Sequence, residues 1–244
     1  LTWRLAACDV SLTGGYATGT GYAQALLRFS MGALFDPLEG RYRLARPGAA
    51  TGGALALQAF VDANGDGRRQ ADESPVPGVV ADSSSGVATA DADGRLLVAE
   101  LGDATHARVG IRAESIEDPY LRLPADALEF QPRAGRVVLA ELPLQPTGEV
   151  QVRLFLRDAA GGERGLSAVQ VQLWRDGATV AAGRTEFDGT VVVDGLPPGR
   201  YELRIDPALE ARLGLRLLEP VGVTIPAWGG YAGDVIARVA IDRR

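Results

Sequence analysis

Residues 62–73 read Asp-Ala-Asn-Gly-Asp-Gly-Arg-Arg-Gln-Ala-Asp-Glu and satisfy every fixed position of the calcium-loop pattern D-x-[DN]-x-[DN]-G-x5-E. The chemistry this spacing allows is oxygen ligation of a hard divalent cation. Asp62, Asn64 and Asp66 bring side-chain oxygens at positions 1, 3 and 5, and Gly67 at position 6 permits the sharp turn. Arg68 at position 7 offers its backbone carbonyl, Gln70 falls at position 9, and Glu73 at position 12 closes the set with a bidentate carboxylate. Asn64 is the only asparagine in the chain, so the run is not a by-product of an Asn-rich composition. The expected cofactor is Ca²⁺, with Asp62, Asn64, Asp66, Arg68, Gln70 and Glu73 as its ligands. A solvated acidic turn whose carboxylates never converge fits the same letters, because the pattern fixes spacing and not geometry.

The flanks decide what holds the loop. It follows the apolar run 54–61 and precedes Ser74-Pro75-Val76-Pro77-Gly78-Val79-Val80. Two prolines at alternate positions exclude a regular helix there, and the valines beyond read as a strand. The loop is therefore expected to join two strands, not the two helices of a calcium-sensor hand.

Composition narrows the rest. At 244 residues and 46% hydrophobic content the chain is long enough for two or three domains with cores of their own. A net charge of −6 argues against a nucleic-acid partner. All 25 basic residues are arginine, which removes phosphate-loop lysines, Schiff-base lysines and lysine isopeptide crosslinks. The single histidine, His106, lies in a turn-like stretch and reads as a surface or strand-edge residue, not a catalytic base. Cys8 and His106 alone do not make a zinc site. No run approaches eighteen apolar residues, so no transmembrane helix is expected. The chain opens on Leu1 without methionine, which reads as a fragment or processed piece. Leu5-Ala6-Ala7-Cys8 matches the bacterial lipoprotein box only loosely, since Arg4 abuts it.

The chain repeats itself at an offset of 95 residues. Phe60 matches Phe155, Gly94 matches Gly189, and Leu101 matches Leu196. Short alternating strands such as Val169–Leu173 and Tyr201–Ile205 recur between Gly, Pro and Asp turns. Asp93-Gly94 and Asp188-Gly189 read as tight hairpin turns. The expected fold is all-β: two tandem antiparallel β-sandwich domains of Ig-like or transthyretin-like type, at 49–145 and 146–244, preceded by a β-strand segment at 1–48. On the 95 offset Asp62, Asn64 and Asp66 become Arg157, Ala159 and Gly161, so one calcium site is expected, in the first domain only. Within Tyr22–Phe35 the odd positions are wholly apolar and the even ones mixed. An outer-membrane barrel strand, a strand of a soluble sheet and an amphipathic helix all fit that pattern. Trp174, Trp228 and Tyr231 are candidates for contact with carbohydrate or protein, with core or inter-domain packing the expected use of each.

Phe60–Gly67 together with Glu73–Val79 resembles the opening of the B-type repeats of serine-aspartate-rich bacterial adhesins, over residues 53–145. That resemblance implies a calcium-binding β-sandwich spacer. Gln70 departs from it, since those repeats usually carry Asp at position 9, and one charge fewer implies weaker binding. Thr185–Gly189 with Asp194–Leu203 resembles the carboxypeptidase-regulatory-like and collagen-adhesin B-type domains, over 146–244. The order of apolar strand and two small sandwiches also resembles the C-terminal part of usher-like outer-membrane proteins of pilus assembly.

These readings converge on non-enzymatic, calcium-stabilised spacer or docking modules of a bacterial cell-envelope protein. The resemblances imply a protein partner, either a pilus subunit or a host or matrix ligand, and contact with the outer membrane through residues 1–48 or through an N-terminal part that precedes them. The alternatives are the C-terminal domains of a pilus-assembly usher and an accessory module of a glycan-active enzyme. For the last, Asp91/Asp93 and Glu114/Glu117 are the acidic pairs to inspect.

Overall fold

The structure, a computed structural model, describes residues 1–5 and 7–241. Ala6 of the Leu5–Cys8 box and the last three residues of the 146–244 segment lie outside the described residues. The chain divides into two compact units, Leu1–Glu117 with Leu123–Leu144, and Asp118–Arg122 with Gln145–Arg244. The first three strands, β1 (Thr2–Arg4), β2 (Asp9–Ala17) and β3 (Tyr22–Ser30), form one antiparallel sheet. A separate hairpin pairs β4 (Gly32–Asp36) with β5 (Arg41–Ala45) and leads into a short helix, α1 (Pro47–Thr51). The alternating run 22–35 is thus two strands, broken at Met31. Gly32 explains the break: a side chain there would press on the backbone oxygen of Arg46, so only glycine lets β4 turn in so closely. Among the described residues no sheet closes into a barrel.

The first sandwich follows. Its strands are β6 (Ala54–Val61), β7 (Val80–Ser83), β8 (Gly86–Thr89), β9 (Arg95–Val98), β10 (Ala107–Arg112), β11 (Leu121–Arg122), β12 (Ala127–Phe130) and β13 (Val137–Pro146). One sheet runs β13-β6-β9 and the other β12-β10-β7-β8. The end of β13 and β11 count with the second unit, where Leu121 pairs with Pro146. Strand β6 is buried along nearly its whole length, and Leu55, Leu57, Phe60, Val79, Val109 and Leu144 form the best-buried part of this core. Small alanines at 54, 56 and 59 let both faces of β6 be covered.

The second sandwich holds β14 (Gly148–Arg157), β15 (Glu163–Gly165), β16 (Gln170–Arg175), β17 (Ala178–Arg184), β18 (Thr190–Leu196), β19 (Gly199–Ile205), α2 (Pro207–Leu213), β20 (Leu215–Leu217), β21 (Val221–Ile225) and β22 (Gly230–Ile241). Strands β14, β15, β18, β20 and β22 make one sheet, and β17-β16-β19-β21 the other. In β14 the period of two is clean: Val150, Val152, Leu154 and Leu156 point to the core while Arg153 and Arg157 stay exposed.

All-β sandwiches are what the short alternating strands imply. Most pairs are antiparallel, but each sandwich contains one parallel pair, β6 with β13 and β14 with β22. Both pairs join the first strand of a sandwich to its last. The 95-residue repeat is visible atom by atom at one corner of each sandwich. Gly94 and Gly189 adopt φ of 72° and 85°, and a side chain on either would strike a backbone oxygen, that of Ala59 or of Leu154. The same carbonyls accept from the N–H groups of Val76 and Leu166. These glycines do not close hairpins. Each turns the chain from one sheet to the other, β8 to β9 and β17 to β18.

Candidate metal centre

The loop 62–73 is pinned at its neck before any side chain is considered. Ala59 accepts from the N–H of Val76 at 3.1 Å, and Val61 N–H donates to the Ser74 carbonyl at 2.9 Å. Phe60 and Pro75 face each other as an antiparallel bridge, so the prolines end the loop in extended backbone. Asp62 N–H donates to the carbonyl of Leu144 on β13 at 2.9 Å. The first candidate ligand therefore stands where the parallel pairing of β6 with β13 ends.

Inside the neck the side chains fold back on the loop's own backbone. The Asp62 residue is 2% exposed, and its carboxylate accepts from Gly65 N–H at 2.7 Å and Gly67 N–H at 3.0 Å. Glu73, 8% exposed, accepts from Ala63 N–H at 3.1 Å and Gln70 N–H at 2.9 Å, which ties position 12 to the beginning of the loop. Asn64 Oδ1 accepts from Asp66 N–H at 2.9 Å, and Asp66 Oδ1 from Arg68 N–H at 2.8 Å. Gln70 donates through Nε2 to Asp66 Oδ2 at 2.7 Å, while its Oε1 is buried without a partner. Gly65 and Gly67 hold φ near +75°, left-handed backbone that glycine adopts without strain.

The donor chemistry suits a hard cation. Each carboxylate oxygen that accepts one N–H keeps a second lone pair. Among the described residues no arginine forms an ion pair with Asp62, Asp66 or Glu73. Gln70 Oε1 adds an acceptor in want of a positive partner. Among the same residues no three His, Cys, Asp or Glu side chains converge as a ready metal cluster. The loop brings its donors to one neck and leaves their oxygens on the backbone.

The matching corner of the second unit is a plain turn. Asp158 Oδ1 accepts from Ala160 and Gly162 N–H at 2.9 and 2.8 Å. From Ala59 to Val76 the first unit uses seventeen residues, where Leu154 to Leu166 takes twelve. The longer, acidic loop is therefore an elaboration on a shared frame.

The remaining sequence candidates fall elsewhere. Asp91 caps its own turn by accepting from Asp93 and Arg95 N–H, and Asp93 lies 3.4 Å from Arg95. Glu114 and Glu117 are exposed. His106 is exposed and lies 3.2 Å from Glu129. Trp174 is half-buried beneath the Arg204 guanidinium, 4.5 Å from its ring centre. Trp228 and Tyr231 are 77% and 52% exposed, so neither is spent on a core as the sequence suggested. Two features had no sequence signal: the Asp62–Leu144 bond, which depends on the parallel pairing of β6 with β13, and the stranded oxygen of Gln70.

Fold and loop together define an all-β protein of two sandwich units, the first carrying an acidic oxygen-donor loop. No family model and no curated protein matches the chain. Among solved structures, similarity extends to a chain of the E. coli P pilus tip assembly intermediate PapC-PapD-PapK-PapG. That match is 14% identical and covers 99% of this chain and 25% of the other, with a TM-score of 0.47. The minor pilin GBS52 of Streptococcus agalactiae is 13% identical over 79% of this chain and 97% of its own, with a TM-score of 0.36. The Bacillus anthracis TIE protein is 14% identical over 96% of this chain and 42% of its own, at 0.37. Likenesses this distant carry no argument about function.

Proposed function

We propose that the chain forms non-enzymatic β-sandwich modules of a bacterial cell-envelope protein, the first stabilised by Ca²⁺, acting as spacer or docking domains in surface adhesion. The observation that carries this reading is the pair of buried carboxylates, Asp62 and Glu73, drawn to the neck of a loop whose counterpart in the second unit is a shorter turn. Asp62, Asn64, Asp66, Gln70 and Glu73 would hold the ion with the Arg68 carbonyl. Bound there, Ca²⁺ supplies the positive charge that three neighbouring carboxylates lack. Asp62 also holds β13 at Leu144 through its N–H, so a firmly held Asp62 carboxylate restrains two strands at once where their pairing ends. The role is mechanical, and nothing in it calls for a reacting substrate. Exposed Trp228 and Tyr231 offer a surface for a protein partner, a pilus subunit or a host or matrix ligand. A second reading, docking domains on an outer-membrane protein of pilus assembly, is favoured by the uncovered sheet β1–β3.

The test is a thermal melt of the chain in EDTA and in millimolar Ca²⁺, with Asp62→Ala/Asp66→Ala as control. At free calcium a hundredfold above its dissociation constant the stabilisation is about 2.7 kcal/mol. For a domain of this size that raises Tm by on the order of 10 °C. The double variant should show no calcium response. An unchanged wild-type Tm would leave a calcium-free turn and overturn the metal reading.

A further inference from the structure

We infer that the sheet β1–β2–β3 is a stretch of membrane-embedded barrel wall whose apolar face meets lipid acyl chains. The inference rests on the second reading above, an outer-membrane protein, and not on the calcium loop. The register sets Val10, Leu12 and Tyr16 directly opposite Phe29, Leu27 and Ala23, so all six share one face. Trp3, opposite Val10, joins them. No charged residue stands on that face anywhere along the three strands. Arg4, Asp9 and Arg28 all stand on the other face, with Thr13 and Gln24 among its polar members, although Tyr22 and Leu26 stand there too. Tyr16, Leu27 and Phe29 are each more than half exposed, at 67%, 54% and 63%.

Dimensions and placement choose the occupant. β2 and β3 are nine residues each, within the length a tilted membrane strand needs. At about 3.3 Å per residue they span roughly 30 Å, or about 23 Å at a 40° tilt, against an apolar band of about 25 Å. Aromatic residues mark both ends of the face, Tyr16 by the hairpin turn and Trp3 with Phe29 at the far end. Small and aliphatic residues fill the middle, as at a lipid boundary with its two interfaces. Hydrocarbon accepts no charge, and this sheet has sorted every charge to one side. Unpaired strand edges are not tolerated in lipid, so β1 and β3 must each be joined by further strands in the membrane. The mixed face then lines a water-filled interior.

The test takes the full-length gene product with Cys8 and any further cysteine replaced by serine, reconstituted in phosphatidylethanolamine/phosphatidylglycerol vesicles. Single cysteines, Leu12→Cys or Leu27→Cys on one face and Thr13→Cys or Gln24→Cys on the other, are labelled with an environment-sensitive fluorophore. Labels at 12 and 27 should lose at least half their emission to nitroxides on the acyl chains and resist aqueous iodide. Labels at 13 and 24 should do the reverse. Equal iodide quenching at all four positions would overturn the inference. So would protection at 12 and 27 that persists without lipid alongside a doubled mass, which would assign the face to a second copy. Two positions per face guard against one variant failing to insert. A calcium-dependent melt without acyl-chain quenching sinks only the membrane inference, and quenching without a calcium response sinks only the metal reading.

Discussion

Two glycines and one aspartate show how much single residues decide here. Gly94 and Gly189 sit at positive φ with a carbonyl oxygen where a side chain would stand. Gly94→Ala and Gly189→Ala should each cost about 2 kcal/mol or more, since strain and collision add. Urea denaturation of the two variants should show matching losses; a neutral Gly94→Ala would mean the corner relaxes freely. Asp188 lies beside the second glycine, and its carboxyl is held below the ordinary value chiefly by the Thr190 N–H bond, with the Thr190 hydroxyl assisting. A depressed folded-state pKa stabilises above the unfolded value and loses that contribution as pH falls through the folded one. Asp188→Asn should therefore lower Tm at pH 7 and make little difference at pH 2. An equal penalty at both pH values would show that the carboxylate charge is not what Thr190 recognises.

Among the elements, α2 carries a cap at each end. Asp206 caps it, accepting from Ala208 and Leu209 N–H at 2.9 and 3.2 Å, and Gly214 ends it at φ 62°. Asp206→Ala should cost about 1 kcal/mol, measurable as a shift in denaturation midpoint without loss of the fold. This helix was not among the elements expected from the sequence, although its Asp206-Pro207 start and Gly214 stop are local signals. Alternation in the runs that became β16 and β19 and the 95-residue offset between Phe60 and Phe155 pointed to two related sandwiches. What could not be read was anything set by distant partners. The break at Met31 was hidden because β3 and β4 continue one alternation across it. Asp93-Gly94 announced a turn but not that the turn changes sheets. The parallel pairing of β6 with β13 joins residues some eighty positions apart. The loop's ligand types were plain from Asp62 to Glu73, while the course of their oxygens depended on backbone N–H groups that spacing does not locate.

For the molecule as a whole, the shared corner makes the two units comparable at the level of single bonds. The carbonyls of Ala59 and Leu154 accept equivalent N–H groups across loops that differ by five residues. Replacing residues 62–73 by the shorter turn of the second unit should leave a cooperatively folding protein whose Tm no longer responds to calcium. Circular dichroism melts with and without EDTA would check this. Loss of folding would mean that the long loop is needed for more than ion binding. The duplicated frame has a consequence for descent as well. A copy whose corner tolerates loops of either length can gain or shed an acidic loop by insertion alone, leaving its core untouched. One ancestral unit thus suffices as the source of both, the pair parting at a single loop while the carbonyls of Ala59 and Leu154 keep their equivalent partners.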